Sequence, residues 1–371
     1  MRFEVSRVLD AIERRLSTDP ALARGVLELA EVVRYVDLDG GRAASMLRLG
    51  MVVDALGRQL AEENVPVYVV ADRALLSEPD LSSNERMVLR RWADDGLVEV
   101  LPKPGERALE VAELIGLPVL SRGRFEAQRE RYPWLTKEPA RLLAPMPGAG
   151  GAALVARIAP VAGRRSPGPS KTGAALLGRV WRCPDQECGS FGPMRLGRPG
   201  GQPPPRLRSG VPVCPRHDAR LADAGQRPPA EVLALRIGGI IRQRFVVAAD
   251  RSVVIGRAPT EDGGVMVGQW LNDEARRWIS RSHVRLELRG PDLVATDMST
   301  NGTAVRQGGS MADADRLLLT RDQSRVLAEG DLLELYPGVH VGRAAAWSSG
   351  GVLDPGSVMA EAPTMALRVL R

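Results

Sequence analysis

The sequence predicts a multidomain chain: an N-terminal α/β domain with a parallel sheet, a small cysteine-containing module and a C-terminal all-β sandwich. Three observations predict it. Short β-branched runs alternate with helical periodicity over the first third of the chain. All three cysteines fall between positions 183 and 214. Beyond about residue 231, apolar and polar residues alternate in short runs broken by Gly, Pro, Asn and Asp, which is typical of an antiparallel sandwich.

The N-terminal domain is predicted to span 1–138. Apolar residues at three- and four-residue spacing predict helices over 1–30, 43–63, 82–95 and 106–115. Runs rich in Val, Leu and Ile between them predict strands over 32–38, 65–71, 97–101 and 117–121. Strand, helix and strand in this order favour a parallel sheet with crossover helices.

Residues 139–180 lose this periodicity and are rich in Pro, Gly and Ala, which predicts a flexible linker. The stretch 141–182 carries seven Arg or Lys and no acid, so it more than accounts for the formal net charge of +6. A segment of this kind is typical of a solvated linker, and it could also hold nucleic acid non-specifically.

The remaining composition bounds the compartment and the partners. The chain has 371 residues, with 44% hydrophobic residues but only 4% aromatic residues. It contains no apolar run of 18 residues, and its first fifteen residues are charged throughout, so we expect neither a membrane span nor a secretory signal. We therefore predict a cytoplasmic protein with no membrane partner.

The cysteine-containing module is predicted to span 181–230 and to bind zinc. Cys183 and Cys188 form one short pair, and Cys214 lies three residues before His217. Soft ligands in two close pairs on a loop-rich segment are the pattern of a tetrahedral zinc site, here a closed and therefore structural one that resembles zinc ribbons. Disulfide bonding is the alternative, but three cysteines cannot all pair and a cytoplasmic chain rarely holds disulfides.

The C-terminal domain, 231–346, carries three short motifs in order: Gly256-Arg257, then SRSH over 280–283, then STNGT over 299–303. Taken singly, each has an ordinary structural explanation, and Asn301-Gly302 alone is a hairpin turn. Taken together they resemble the forkhead-associated (FHA) domain, a β-sandwich that binds phosphothreonine peptides through loops at one end.

This resemblance implies a binding site and a class of partner. A phosphate ester needs a fixed cation and short hydroxyl donors. The implied phosphopeptide-binding residues are Arg257, Ser280, Arg281, Thr300 and Asn301. Asn301 would hold the residue after the phosphothreonine, and His283 would brace the loops. The implied partner is a phosphothreonine-containing protein downstream of a Ser/Thr kinase, with a long insert before Ser280 expected beside the site and a tail over 347–371.

The N-terminal domain offers two tentative catalytic residues, Asp37 and Asp39, after a predicted strand. The Asp-x-Asp-Gly pattern resembles haloacid-dehalogenase phosphatases, but no later carboxylate pair suits their magnesium. The segment 105–135 resembles PIN-like and NYN-type ribonuclease domains, which hold Mg or Mn on several carboxylates. Arg122 and Arg124 stand where that family usually carries an acid. The two functional hypotheses are therefore a phosphothreonine-dependent adaptor and, alternatively, a metal-dependent ribonuclease regulated by its C-terminal module, with nucleic acid as a possible partner.

Overall fold

A computed structural model describes residues 2–101, 104, 106–156, 168–192 and 201–347. Within these ranges, no helix is both long enough and apolar enough to cross a membrane. The prediction of a multidomain chain, with a parallel-containing α/β sheet and an antiparallel β-sandwich, is confirmed.

The N-terminal domain is built on a six-stranded sheet in the order β3-β2-β1-β4-β5-β6. The strands are β1 (Val26–Glu28), β2 (Tyr68–Asp72), β3 (Glu99–Leu101), β4 (Val119–Leu120), β5 (Leu142–Gly148) and β6 (Gly151–Ala156). All neighbours pair in parallel except β5 and β6, which form an antiparallel hairpin. Strand order reverses between β1 and β4, which is where open α/β sheets place their binding crevices.

Helices cover both faces of this sheet and enclose two separate cores. They are α1 (Arg2–Glu13), α2 (Leu29–Val32), α3 (Leu47–Leu60), α4 (Ser83–Asp94), α5 (Arg107–Ile115), α6 (Trp134–Lys137) and α7 (Lys171–Leu177). The first core joins α1, α3 and α4 to one sheet face, around the fully buried Trp92. The second joins α5, α6 and α7 to the opposite face.

The start of the chain differs from the prediction. The first helix ends at Glu13, and β1 lies inside the predicted helix. The predicted strand 32–38 is instead the end of α2, a turn, and a 3₁₀ helix over Val36–Leu38. Its β-branched residues Val32 and Val33 are buried in the first core, so burial and not strand pairing accounts for their apolar character.

The predicted linker is largely folded. Strands β5 and β6 extend the sheet, and α7 packs so closely on α5 that a Cβ on Gly173 would lie 1.8 Å from the carbonyl oxygen of Leu114. Arg141, counted as a linker charge, stacks on Trp134 at 4.3 Å and binds Glu138. The rest of the predicted linker, 157–167, lies outside the described residues.

The cysteine-containing module is formed by two small hairpins. Strand β7 (Arg179–Arg182) pairs antiparallel with β10 (Ala222–Gln226), and β8 (Arg206–Arg208) pairs antiparallel with β9 (Val211–Val213). Each of β7 and β9 ends immediately before a cysteine, Cys183 and Cys214 respectively. The module packs on the second core of the α/β domain.

The C-terminal domain is a sandwich of a six-stranded and a five-stranded sheet, in the orders β12-β11-β21-β20-β17-β18 and β14-β13-β15-β16-β19. Its strands are β11 (Ala230–Ile237), β12 (Ile240–Ala248), β13 (Val253–Gly256), β14 (Val265–Met266), β15 (Val284–Arg289), β16 (Asp292–Asp297), β17 (Thr303–Arg306), β18 (Arg316–Leu319), β19 (Ser324–Val326), β20 (Leu332–Tyr336) and β21 (Val339–Arg343). Two short helices, α8 (Asp273–Trp278) and α9 (Ala344–Trp347), are added to it. The predicted tail beyond Trp347 lies outside the described residues.

The α3–β2 loop of the α/β domain docks on the edge strand β12. The carboxylate of Glu62 accepts two hydrogen bonds from Arg244, at 2.6 and 3.0 Å, and both side chains are buried. The main chain adds two bonds beside this pair, from Ile241 N to Ala61 O (3.0 Å) and from Glu63 N to Ile241 O (2.9 Å). The sandwich is thereby attached directly to the α/β domain.

Candidate functional site

Three loops meet at one end of the sandwich because of the register of one sheet. Ile255 near the end of β13 pairs with Val284 at the start of β15, and Val284 pairs with Asp297 at the end of β16. The loop after β13, the turn before β15 and the loop after β16 therefore emerge side by side. These loops carry all five predicted phosphopeptide-binding residues, and we call them together the three-loop site.

The first two loops are joined through the main chain. Arg257 N donates to Ser280 O at 3.0 Å, and Ala258 N donates to Arg281 O at 3.3 Å. This approach requires glycine at position 256, since a Cβ there would lie 1.8 Å from Arg281 O. The Gly-Arg motif thus has a steric basis: the glycine lets the turn carrying Ser280 come against the arginine.

The third loop is held to the second by two side chains. The hydroxyl oxygen of Ser280 accepts a hydrogen bond from Thr300 N at 3.2 Å. The amide nitrogen of Asn301 donates to Trp278 O at 2.8 Å. The structure therefore brings Arg257, Ser280, Arg281, Thr300 and Asn301 into one continuous surface.

A buried carboxylate that sequence reasoning missed organises the third loop. Asp297 is fully buried and accepts hydrogen bonds from the hydroxyls of Ser299 (2.8 Å) and Thr303. Ser299 Oγ in turn accepts from Gly302 N at 2.7 Å. Two of the loop's hydroxyls thus point inward as braces, while Thr300 stays exposed. An acid at the end of a predicted strand, two residues before a serine, was the available signal.

His283 braces the second loop, as predicted. Its Nδ1 accepts a hydrogen bond from Ser280 N at 3.1 Å, and its own N–H donates to Ile255 O at 2.8 Å. Burial lowers the pKa of His283 to about 4, against the opposing field of Asp297. The imidazole is therefore neutral at physiological pH, and Nδ1 is free to act as an acceptor.

The electrostatics of the three-loop site favour an anion. Arg257 and Arg281 are both exposed, and neither guanidinium pairs with a carboxylate within the described part of the chain. The nearest acid placed by a contact is Glu261, which accepts from the hydroxyl of Ser282 at 3.1 Å. Two unneutralised cations beside exposed hydroxyls form a site that an oxyanion can enter without displacing an internal ion pair.

The insert before Ser280 borders this site, as expected from its position in the sequence. Its helix α8 begins at an Asn272 cap, whose oxygen accepts from Ala275 N at 2.9 Å. It ends at Trp278, the residue whose carbonyl binds Asn301. The Trp278 ring is 45% exposed and packs edge-on against Tyr336, with ring centroids 6.4 Å apart. An aromatic surface therefore adjoins the asparagine.

The tentative catalytic residues of the N-terminal domain are separated and neutralised. Asp37 lies in the 3₁₀ helix and accepts two hydrogen bonds from Arg122, at 2.8 and 2.9 Å. The same guanidinium lowers the pKa of Asp37. Asp39 pairs instead with the buried Arg48, whose Nε donates at 3.0 Å. Neither carboxylate faces a third acid suited to a divalent metal.

The acids that do follow β1 are Glu28 and Glu31, which the sequence analysis did not select. Glu31 accepts from Ser121 Oγ at 2.8 Å, from Arg122 N at 2.9 Å and from the hydroxyl of Tyr35. Burial, followed by the charge of Glu31, raises the pKa of Glu28. Glu31 thus ties β1 to β4 at the point where strand order reverses, with its oxygens already occupied by donors.

The predicted zinc ligands come together in the cysteine-containing module. The ligand atoms of Cys183, Cys188, Cys214 and His217 all lie within 4.8 Å of one another. This is the one group of three or more Cys, His, Asp or Glu in the described ranges that could hold a metal ion. All three cysteines are buried free thiols, and His217 is exposed.

Comparisons with known proteins match only the C-terminal part of the architecture. No protein-family model matches the chain, and no curated protein does. Solved structures that match include the FHA domain of MEK1 (24% identity, 31% of this chain and 87% of that one, TM-score 0.23). The FHA domain of human APLF in complex with an XRCC1 bisphospho peptide also matches (22%, 30% and 96%, 0.23). A third is the FHA domain of a Chlamydia trachomatis protein (17%, 30% and 94%, 0.22).

Proposed function

We propose that this chain is an interaction protein whose C-terminal sandwich is a forkhead-associated module that binds phosphothreonine in a client protein. One observation carries the proposal: Arg257, Ser280 and Thr300, from three separate loops, are joined by direct hydrogen bonds into one surface. Loops distant in sequence would have no reason to present a free cation and two hydroxyls together if each were only a turn.

Each side chain has a role that follows from its remaining hydrogen-bonding capacity. Ser280 Oγ already accepts from Thr300 N, so its O–H proton is available to donate to a phosphate oxygen. Arg257 supplies a planar fork of donors, and Arg281 a second positive charge. Asn301 uses one N–H on Trp278 O, which leaves its amide oxygen and second N–H for the peptide main chain.

The test of this proposal is the affinity of the full chain for phosphothreonine peptides, measured by fluorescence anisotropy. A hydrogen bond to a charged group contributes about 1.5–3 kcal/mol, so we expect Arg257→Ala to weaken binding roughly 10- to 150-fold. Arg257→Lys should fall between, because it keeps the charge and loses the fork. Arg289→Ala is the matched control, since Arg289 lies at the opposite end of β15.

Two outcomes would contradict the proposal. One is equal affinity of the unmodified protein for phosphorylated and unphosphorylated forms of the same peptide. The other is Arg257→Ala and Arg289→Ala proteins that bind equally well. A phosphopeptide-library pulldown would then supply the client sequence, and a consensus containing phosphothreonine would identify a Ser/Thr kinase as the enzyme that acts upstream.

For the N-terminal domain, we carry the PIN-like resemblance as a proposal of ancestry, with an adaptor role in place of nuclease activity. The ion pairs of Asp37 with Arg122 and of Asp39 with Arg48 support this choice, because a guanidinium on each acid repels a metal cation. RNA cleavage that requires magnesium or manganese and is lost in Asp37→Asn would instead establish the ribonuclease alternative.

A further inference from the structure

The four side chains in the cysteine-containing module have the spacing of a tetrahedral metal site. Zinc–sulfur bonds of about 2.3 Å at tetrahedral angles place two sulfurs roughly 3.8 Å apart, and a sulfur and a nitrogen roughly 3.6 Å apart. The sulfurs of Cys188 and Cys214 are 3.7 Å apart. Nδ1 of His217 is 3.5 Å from the sulfur of Cys183 and 3.7 Å from that of Cys214.

The groups around these ligands fit a bound cation. Nε2 of His217 lies 3.4 Å from a carboxylate oxygen of Asp185, the usual partner of a metal-bound imidazole. Asp185 is itself held by the N–H of Glu187 at 2.9 Å. Phe191 N donates to the sulfur of Cys188 at 3.3 Å, which favours its thiolate. The donor set therefore selects a soft or borderline ion and fixes which imidazole nitrogen binds it.

The same module forms part of the second core of the α/β domain. Its buried residues Trp181, Phe191 and Leu221 lie in one continuous cluster with strand residues such as Val26 and Val70. All three cysteines belong to this cluster. The metal ligands therefore sit at the edge of the domain core, on the sheet face opposite α1, α3 and α4.

Buried polar contacts attach the module to the sheet. The fully buried guanidinium of Arg107 binds Glu99 at 3.1 Å and Glu110 at 2.9 Å, and it also donates to the carbonyl oxygens of Pro204 and Pro205. Glu110 accepts from Leu207 N at 2.8 Å. Arg107 is thus satisfied only while the module's Pro-rich segment stays in place.

We propose that Cys183, Cys188, Cys214 and Nδ1 of His217 bind one zinc ion, with Asp185 as its outer partner, and that this ion holds closed the second core of the α/β domain. Metal loss then exposes α5 and the sheet face beneath the module. The sandwich belongs to a different core, so the three-loop site keeps its structure without the ion.

The test uses the full chain before and after removal of metal by a zinc chelator. Elemental analysis should find about one zinc per chain. Hydrogen exchange should accelerate in α5, β2 and the module after chelation, while exchange in β13, β15 and β16 stays unchanged. Cobalt(II) added back should restore protection and give the visible absorption of a tetrahedral thiolate site. No zinc, or chelation that changes exchange nowhere, would overturn the proposal.

A variant that keeps all four ligands guards against a simple failure to fold. Asp185→Asn should weaken zinc binding roughly 10- to 100-fold in competition with a chromophoric chelator. Asp223→Asn is the matched control, because Asp223 lies in the same module and pairs with the exposed Arg179. Equal zinc affinity of the two variants would refute the outer role of Asp185. A Cys188–Cys214 disulfide in metal-free protein would refute the site, and phosphopeptide affinity measured in parallel keeps this result separate from the proposed function.

Discussion

Protonation of His283 should destabilise the three-loop site at acid pH. The folded-state pKa of about 4 lies below the ordinary value of 6.5 because the ring is buried. The unfolded chain therefore binds more protons than the folded one between these two values. The corresponding stability is fully present above pH 6.5 and is lost as the pH falls towards 4. The difference between the two pKa values corresponds to ~3 kcal/mol.

The structural consequence is local, because a protonated Nδ1 can no longer accept the hydrogen bond from Ser280 N. Native-state hydrogen exchange in β13 and β15, measured as a function of urea concentration at pH 7 and at pH 4.5, gives the opening free energy where His283 acts. Acidic residues also titrate in this range, so a matched variant is needed. His283→Asn keeps an acceptor and cannot be protonated.

The quantity that decides is the difference in pH dependence between the unmodified protein and His283→Asn. We expect the variant to lose ~2–3 kcal/mol less stability on acidification. Phosphopeptide affinity should show the same difference, since the titration of the phosphate group is common to both proteins. Identical pH dependence in the two proteins would refute a neutral, buried acceptor at this position.

Two further substitutions test the structural reasoning. Gly256→Ala should lose phosphopeptide binding and lower the melting temperature, because its Cβ would lie 1.8 Å from Arg281 O; an unchanged melting curve would contradict that close approach. Glu62→Ala should destabilise the attachment to the sandwich by about 3–5 kcal/mol, since it leaves Arg244 buried and unpaired. Glu63→Ala, which removes a half-exposed pair, should change the free energy of unfolding by less than ~1 kcal/mol, and equal effects would refute the distinction.

The C-terminal domain was predictable because its information is local. Alternation marks each strand, and the Gly-Arg, Ser-x-x-His and Asn-Gly motifs sit at strand ends that pairing then brings together. The direction of each hydroxyl was not predictable. Ser299 and Thr303 turn inward only because Asp297 is buried beneath them, and burial is decided by the second sheet and not by neighbours in sequence.

The N-terminal domain was harder to predict, for two physical reasons. Strand β1 has only three residues and is continuous with α2, so it leaves no period of its own. Strand β5 contains Pro145 and Pro147, which argue against a strand in the interior of a sheet. Beyond Leu142 and Leu143 it pairs only with β6, however, so those prolines need no N–H on the other side.

The arrangement of cores indicates which parts of the chain respond together. The three-loop site and the zinc ligands belong to different clusters, and the buried Glu62–Arg244 pair joins the sandwich to the α3 side of the α/β sheet, away from the metal module. Peptide capture by the sandwich therefore carries the α/β domain with it as an attached body. Because the metal lies on the opposite face of the sheet, its loss should alter what the α/β domain presents while leaving capture of the phosphorylated client intact.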